Sequence, residues 1–197
     1  DGMLAAGGLV YTVADGGLAL VGFDGAAPEG VLSVPGTVML DGKEAPIVAV
    51  DIAEGQATDE VVVLSLPQSV KDIDTASLAS AFPALLSVEV ASASSTLPVA
   101  SGAASVRAAY STSGGMLFRP TSVTLQNEDG SIETVECKEL VWAPPALVSA
   151  RIPVECRSIA EGAFADARGL KTVVAFGTME RISDGAFSIE QMEAAKV

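Results

Sequence analysis

Histidine is absent from the 197 residues. That absence removes the His general base of the Ser and Cys hydrolases and the commonest protein metal ligand. Two cysteines are too few to hold a zinc ion by themselves. Basic residues are also scarce: 11 Lys and Arg stand against 25 Asp and Glu, a formal charge of −14. Nucleic-acid binding needs clustered cations that release counterions from phosphates, so neither a nucleic-acid partner nor adsorption to an anionic membrane is expected. The acidity reads as a solubility device, with weak cation binding as the alternative. No apolar run is long enough to span lipid. The longest uncharged stretch, Val90 to Val106, is rich in Ser and is broken by Pro98 and Gly102, so no direct membrane insertion is expected. Asp1-Gly2-Met3 has neither the basic start nor the apolar run of a signal peptide, and the chain is read as a trimmed mature fragment. Aromatics make up only 5% of it, within 49% hydrophobic residues. The core is therefore expected to consist of Val, Leu, Ala and Ile.

What is present is repetition. Ile159-Ala160-Glu161-Gly162-Ala163-Phe164 returns as Ile182-Ser183-Asp184-Gly185-Ala186-Phe187, and Ile52-Ala53-Glu54-Gly55 matches its first four letters. A period in the low twenties marks a stack of small supersecondary units. The last copy reads Leu170-x-x-Val173-x-Ala175, then Met179, Ile182 and Ala186-Phe187. Another reads Leu147-x-x-Ala150-x-Ile152-Pro153, then Cys156, Ile159 and Phe164. A third reads Val61-x-x-Leu64-x-Leu66-Pro67, then Val70, Ile73 and Leu78. Fainter echoes are Leu32-x-Val34-Pro35 with Val38, and Leu85-x-x-Val88-x-Val90.

Each part of the unit has a physical role. The alternation Leu64-x-Leu66 suits a short strand with one face inward. Pro67 and Pro153 end their strands because proline has no N–H to give to a ladder. Gly162 and Gly185 allow a turn that a Cβ would hinder. Phe164 and Phe187 are expected as buried wedges filling the width of each coil. One unit buries too little to offset the entropy of ordering it, so the copies must fold as an array.

The pattern Ile-Pro-x-x-Val-x-x-Ile-x-x-x-Ala-Phe followed by Leu-x-x-Val resembles the BspA-type leucine-rich repeat of bacterial surface proteins. Ile152 to Val173 carries it, with Cys156 at the Val place and Arg168-Gly169 where a Cys-containing turn is common. Gly115-Met116-Leu117-Phe118 and Leu140-Val141-Trp142-Ala143-Pro144-Pro145 resemble the family's hairpin interruption between repeats. Tyr11 to Ile52, with Asp41-Gly42-Lys43 and Pro46-Ile47-Val48, resembles its N-terminal entry. The resemblance implies a secreted or surface-attached, non-enzymatic protein connected with adhesion, whose partner is a protein or a host matrix component. It implies no specific ligand and no cofactor.

The expected fold is β-rich α/β: a leucine-rich-repeat solenoid, a right-handed coil of short strands and short helical turns, in one domain over 1–197. Residues 1–30 form a β-hairpin cap, with Leu9 to Val13 and Leu18 to Val21 flanking Asp15-Gly16-Gly17. Repeats occupy 31–90. A low-complexity loop (Ala91 to Ser105) and a second hairpin turning at Asn127-Glu128-Asp129-Gly130 fill 91–146. Repeats resume over 147–197 and end in a truncated tail, with Ile189 to Val197 read as a short helix.

Candidate chemistry has a plainer reading in each case. Cys156 takes an inward repeat position and Cys137 shares a strand face with Val135, so buried free thiols are expected, with a disulfide as the alternative in a secreted setting. Asn127-x-Asp129-Gly130 with Glu136 mimics part of a calcium loop, but Leu125 stands at its first position, and a hairpin turn is the better reading. Asp72 and Asp74 straddle inward Ile73 and are expected in solvent rather than as a glycosidase pair. Trp142 is expected to pack at the hairpin junction rather than to stack on a sugar. No catalytic, cofactor or metal residues are assigned. The candidate binding face is the outward position between the second and third inward residues of each strand: Ser33, Ser65, Glu89, Arg151 and Val174.

Overall fold

A computed structural model describes residues 2–26, 28–91, 108–188 and 190–191. The low-complexity loop (apart from Ala91) and the C-terminal tail (apart from Glu190 and Gln191) lie outside them. The described residues are β-rich and contain one short helix. In chain order the elements are β1 (Met3–Ala6), β2 (Leu9–Ala14), β3 (Gly17–Phe23), β4 (Gly30–Ser33), β5 (Thr37–Leu40), β6 (Lys43–Val50), β7 (Val61–Leu66), β8 (Asp72–Ile73) and α1 (Thr75–Ala81). There follow β9 (Ser87–Val90), β10 (Ser111–Ser113), β11 (Met116–Gln126), β12 (Ile132–Trp142), β13 (Ser149–Ile152), β14 (Cys156–Ile159), β15 (Thr172–Ala175) and β16 (Arg181–Ile182).

The repeats meet through parallel ladders on two sides. On the first side β4, β7 and β9 form one sheet, and β13 and β15 another. Val61, Leu64, Leu66 and Val88 point inward and are buried. Pro67 and Pro153 stand immediately after β7 and β13, where the alternation places them. On the second side β6 pairs with β8, and β12, β14 and β16 continue in parallel. Three ladder steps share one offset: Val50 faces Ile73, Ile159 faces Ile182 and Arg151 faces Val174, each 23 residues apart. Gly162 and Gly185 both have positive φ (70° and 71°), the conformation their turns require. The Gly162 N–H donates to the Gly185 carbonyl at 3.0 Å, so successive turns are also joined.

Several expectations need correction. The second strand of each unit replaces most of the expected helical turns; α1 is the one helix that lies wholly within the described residues, and Glu190 and Gln191 are also helical. Asp74 caps α1 by accepting the Ser77 N–H at 2.9 Å, which gives that exposed carboxylate a structural role. The N-terminal cap is a meander of three strands, because Gly7-Gly8 turns β1 back onto β2. Val38 packs half-buried against the N-terminal apolar cluster but does so from β5, antiparallel to β6, so the first coil is interrupted by a hairpin turning at Asp41-Gly42. Phe187 is half-buried rather than buried. It stacks on the fully buried Phe164 with ring centroids 4.8 Å apart, but no further coil lies over it among the described residues. For the same reason Val173, Ala175 and Ile182 stay exposed while Ala150, Ile152 and Ile159, one unit earlier, are buried.

The β11–β12 hairpin ties the two repeat blocks together. Leu117 and Trp142, paired across it, pack into the N-terminal apolar cluster with Leu64, Phe82 and Leu85. Met116, Phe118 and Leu140 join the C-terminal cluster with Ile152, Cys156 and Phe164. Three consecutive residues of β11 are thus buried, since both faces of the strand meet apolar neighbours.

Candidate functional site

The outward residues of the first-side strands come together as two short rows. Ser33 faces Ser65 and Ser65 faces Glu89 across β4, β7 and β9. Arg151 faces Val174 across β13 and β15. Ser33, Glu89, Arg151 and Val174 are exposed, and Ser65 is half-buried. The single row expected from the sequence is broken between Glu89 and Arg151 by the turn from β10 into β11. There the Gly115 carbonyl accepts the Val88 N–H at 3.0 Å, and Thr112 Oγ1 accepts the Val90 N–H at 3.1 Å. A Cβ on Gly115 would lie 3.0 Å from the Leu86 carbonyl, and the residue has φ +79°, so only glycine fits this crossing without strain. At the far end the Arg151 guanidinium carbon sits 5.4 Å from the Phe176 ring centroid, a cation–π contact on an exposed aromatic.

A second polar row crosses the other side of the protein. Register pairs Arg119 with Glu139, Glu139 with Ser158, and Ser158 with Arg181, over β11, β12, β14 and β16. Glu139 is buried, and its two carboxylate oxygens are divided between neighbours. Oε2 accepts from Arg119 Nε at 2.6 Å and meets its Nη2 at 2.5 Å. Oε1 accepts from Ser158 Oγ at 2.9 Å and from Arg181 Nη2 at 3.1 Å. Arg181 Nε also donates to Ser158 Oγ at 2.9 Å, closing the network. Burial raises the Glu139 pKa, but the hydrogen bonds from Arg119 and Ser158 and the two guanidinium charges outweigh it, and the carboxyl is held below its ordinary range. With every lone pair engaged, this carboxylate is a fastener and has no free proton acceptor to offer.

The remaining candidates take their plainer reading. Trp142 is buried and its indole N–H donates to Asp166 Oδ2 at 3.0 Å, so it presents no face to a sugar. Asn127 to Ser131 closes a hairpin turn in which Asp129 Oδ1 accepts the Ser131 N–H and hydroxyl. Among the described residues no three His, Cys, Asp or Glu side chains cluster as metal ligands, and no helix is long and apolar enough to cross a membrane. Among the described residues, an open depression of about 570 Å³ between Gly16, Pro46, Gln68 and Ser69 has Lys71 as its one ionisable lining residue.

Cys137 and Cys156 are both free. Burial pushes both thiols up, and Cys156, fully enclosed, donates its S–H to the Ser158 carbonyl at 3.2 Å. Thiols held protonated in this way react slowly. A denatured, unreduced sample is expected to titrate two thiols with Ellman's reagent, with Cys156 unreactive until unfolding. Finding no thiol in denaturant would establish a disulfide instead.

No protein-family model and no curated protein sequence matches the chain. Two solved structures are similar in arrangement. One is a leucine-rich repeat protein from Bacteroides capillosus, 14% identical, with TM-score 0.48 over 90% of this chain and 100% of that one. The other is a leucine-rich cell surface protein from Faecalibacterium prausnitzii, 10% identical, with TM-score 0.35 over 95% of this chain and 86% of that one.

Proposed function

We propose that the chain is a leucine-rich-repeat solenoid of the BspA type that works outside a bacterial cell or at its surface. Its role in this reading is non-enzymatic: it binds a protein or host-matrix partner and serves as an adhesion module without a cofactor. The observation that carries the reading is the pair of in-register outward rows, Ser33–Ser65–Glu89 and Arg151–Val174. Stacked coils give such a row a rigid, repeating presentation, which is how repeat proteins commonly meet partners. The chemistry of the rows, two hydroxyls, one acid, one base and an aliphatic, suits a protein contact better than a sugar platform, which would need aromatics.

A spacer that holds another domain away from the cell surface is the second reading, because the long hairpin and the two apolar blocks would also make a stiff rod. An array of matrix proteins and glycans separates the two. Binding to at least one protein, weakened about tenfold by Glu89→Lys with Arg151→Glu and altered in salt dependence, supports the binding module. Binding that the double reversal leaves unchanged in strength and salt dependence removes this face from the proposal. No binding at all favours the spacer.

A further inference from the structure

We propose that the break in the second-side ladder is a binding site for one neutral sugar ring, rimmed by Thr75, Tyr110, Arg119 and Glu161. This goes beyond the partner-binding reading, which concerns the outward rows on the first side and uses none of these residues.

On the second side neighbouring strands join directly where β6 meets β8, β12 meets β14 and β14 meets β16. Between β8 and the long hairpin that continuity fails. Among the described residues β8 has β6 as its one ladder partner, and β12 gives its other edge to β11. The opening left between the two blocks measures about 270 Å³. Small-molecule sites commonly span about 300–1,000 Å³, so this one suits a single ring rather than a chain.

The floor of the opening is apolar. Ile73 and Leu117 are buried beneath it, and Val141 is half-buried. Val141 is the extra residue of a bulge, since Leu117 faces Trp142 while Phe118 faces Leu140. Bulges re-aim side chains in this way beside binding sites.

The rim is polar and is assembled from separate parts of the chain. Thr75 opens α1, Tyr110 precedes β10, Arg119 lies in β11 and Glu161 follows β14. Arg119 gives Nε and Nη2 to Glu139, so Nη1 is the guanidinium donor that remains. Burial pushes the Tyr110 phenol up, Asp72 adds to the rise and Arg119 opposes it in smaller measure, so the hydroxyl stays protonated and can donate. Thr75 both donates and accepts, and Glu161 supplies an exposed carboxylate acceptor.

The charges select against ions. Glu139 already compensates Arg119, and Glu161 and Asp72 add negative charge around the opening, which repels an anion. A cation would meet the Arg119 guanidinium. A neutral pyranose suits both surfaces: its C–H face lies on the apolar floor, while its hydroxyls, each a donor and an acceptor, meet the mixed rim.

An NMR titration of the isotope-labelled chain with glucose, galactose, mannose and N-acetylglucosamine tests the proposal. At least one is expected to shift the Val141, Ala160 and Glu161 amides saturably, with a Kd of about 1–10 mM for so small a ligand. Tyr110→Phe removes one oxygen and Glu161→Ala trims an exposed side chain, so neither disturbs the packing. Each should weaken the binding at least about fivefold. The Glu89→Lys, Arg151→Glu reversal should leave it unchanged, whatever becomes of protein binding on the first side. The absence of a saturable shift at these amides up to about 100 mM sugar, well above that Kd, overturns the proposal. So does binding indifferent to both rim variants, or sugar binding lost on the first-side reversal. Equal shifts with acetate or methylammonium would show an ion site and would overturn it as well.

Discussion

Phe164→Ala is expected to lower the free energy of unfolding by about 3–5 kcal/mol, the usual cost of removing a large ring from a closed core. The ring is fully buried, stacks on Phe187 and belongs to a cluster with Met116, Phe118, Ile152 and Cys156. Neighbouring turns are pinned by the bond from the Phe164 N–H to the Ala186 carbonyl at 2.9 Å, so the space cannot easily collapse. Phe187→Ala should cost clearly less, since that ring is only half-buried. A denaturant melt of both variants checks the order. A loss below about 1 kcal/mol for Phe164→Ala would mean that the ring does not bear on the stack.

The second large effect concerns the Glu139 row. Changing Arg119 and Arg181 together to Met leaves a buried carboxylate with Ser158 as its one remaining side-chain donor, and is expected to cost about 3 kcal/mol at neutral pH. Each single change should cost far less, because the other guanidinium still compensates the charge and both arginines are half-exposed. The pH dependence carries the sign. In the intact protein the folded Glu139 carboxyl lies below its unfolded value of about 4.3, so its stabilisation is complete above that value and is lost as pH falls through the lower folded one. In the double variant burial is opposed only by the Ser158 hydrogen bond and raises the carboxyl, so the penalty should shrink as pH falls from neutral toward 5. Melts of variant and parent at matched pH give the difference directly. A penalty that stays constant over this range would show that Glu139 is not the group responsible.

The sequence disclosed the first side of the coil well and the second side poorly, for physical reasons. Leu64-x-Leu66-Pro67 and Ala150-x-Ile152-Pro153 announce strands because alternation and a terminating proline coincide. Asp72–Ile73 and Arg181–Ile182 are two residues long with one apolar side chain each, too short for any periodicity to register. Their existence depends on ladder bonds to neighbours 23 residues away. Gly7-Gly8 between two apolar runs was a usable hairpin signal for β1. The Glu139 row left no such trace. Its members lie 19, 20, 23 and 42 residues from one another in the pairs that touch, and only the Ser158–Arg181 interval is that of the repeat, the others being set by the hairpin. The outward positions were legible individually from alternation. The break between Glu89 and Arg151 was not, because it arises where β10 and β11 cross between the two blocks.

The common offset of 23 residues also limits how such a chain can change over generations. From Ser149 onward both sides of the coil advance by the same number, so an inserted or deleted stretch of that length returns every strand to its neighbour. One residue more or fewer within a strand would turn its alternating side chains inside out. A change of one whole 23-residue unit is therefore the length change that this register accommodates, and shorter insertions would be tolerated in the turns.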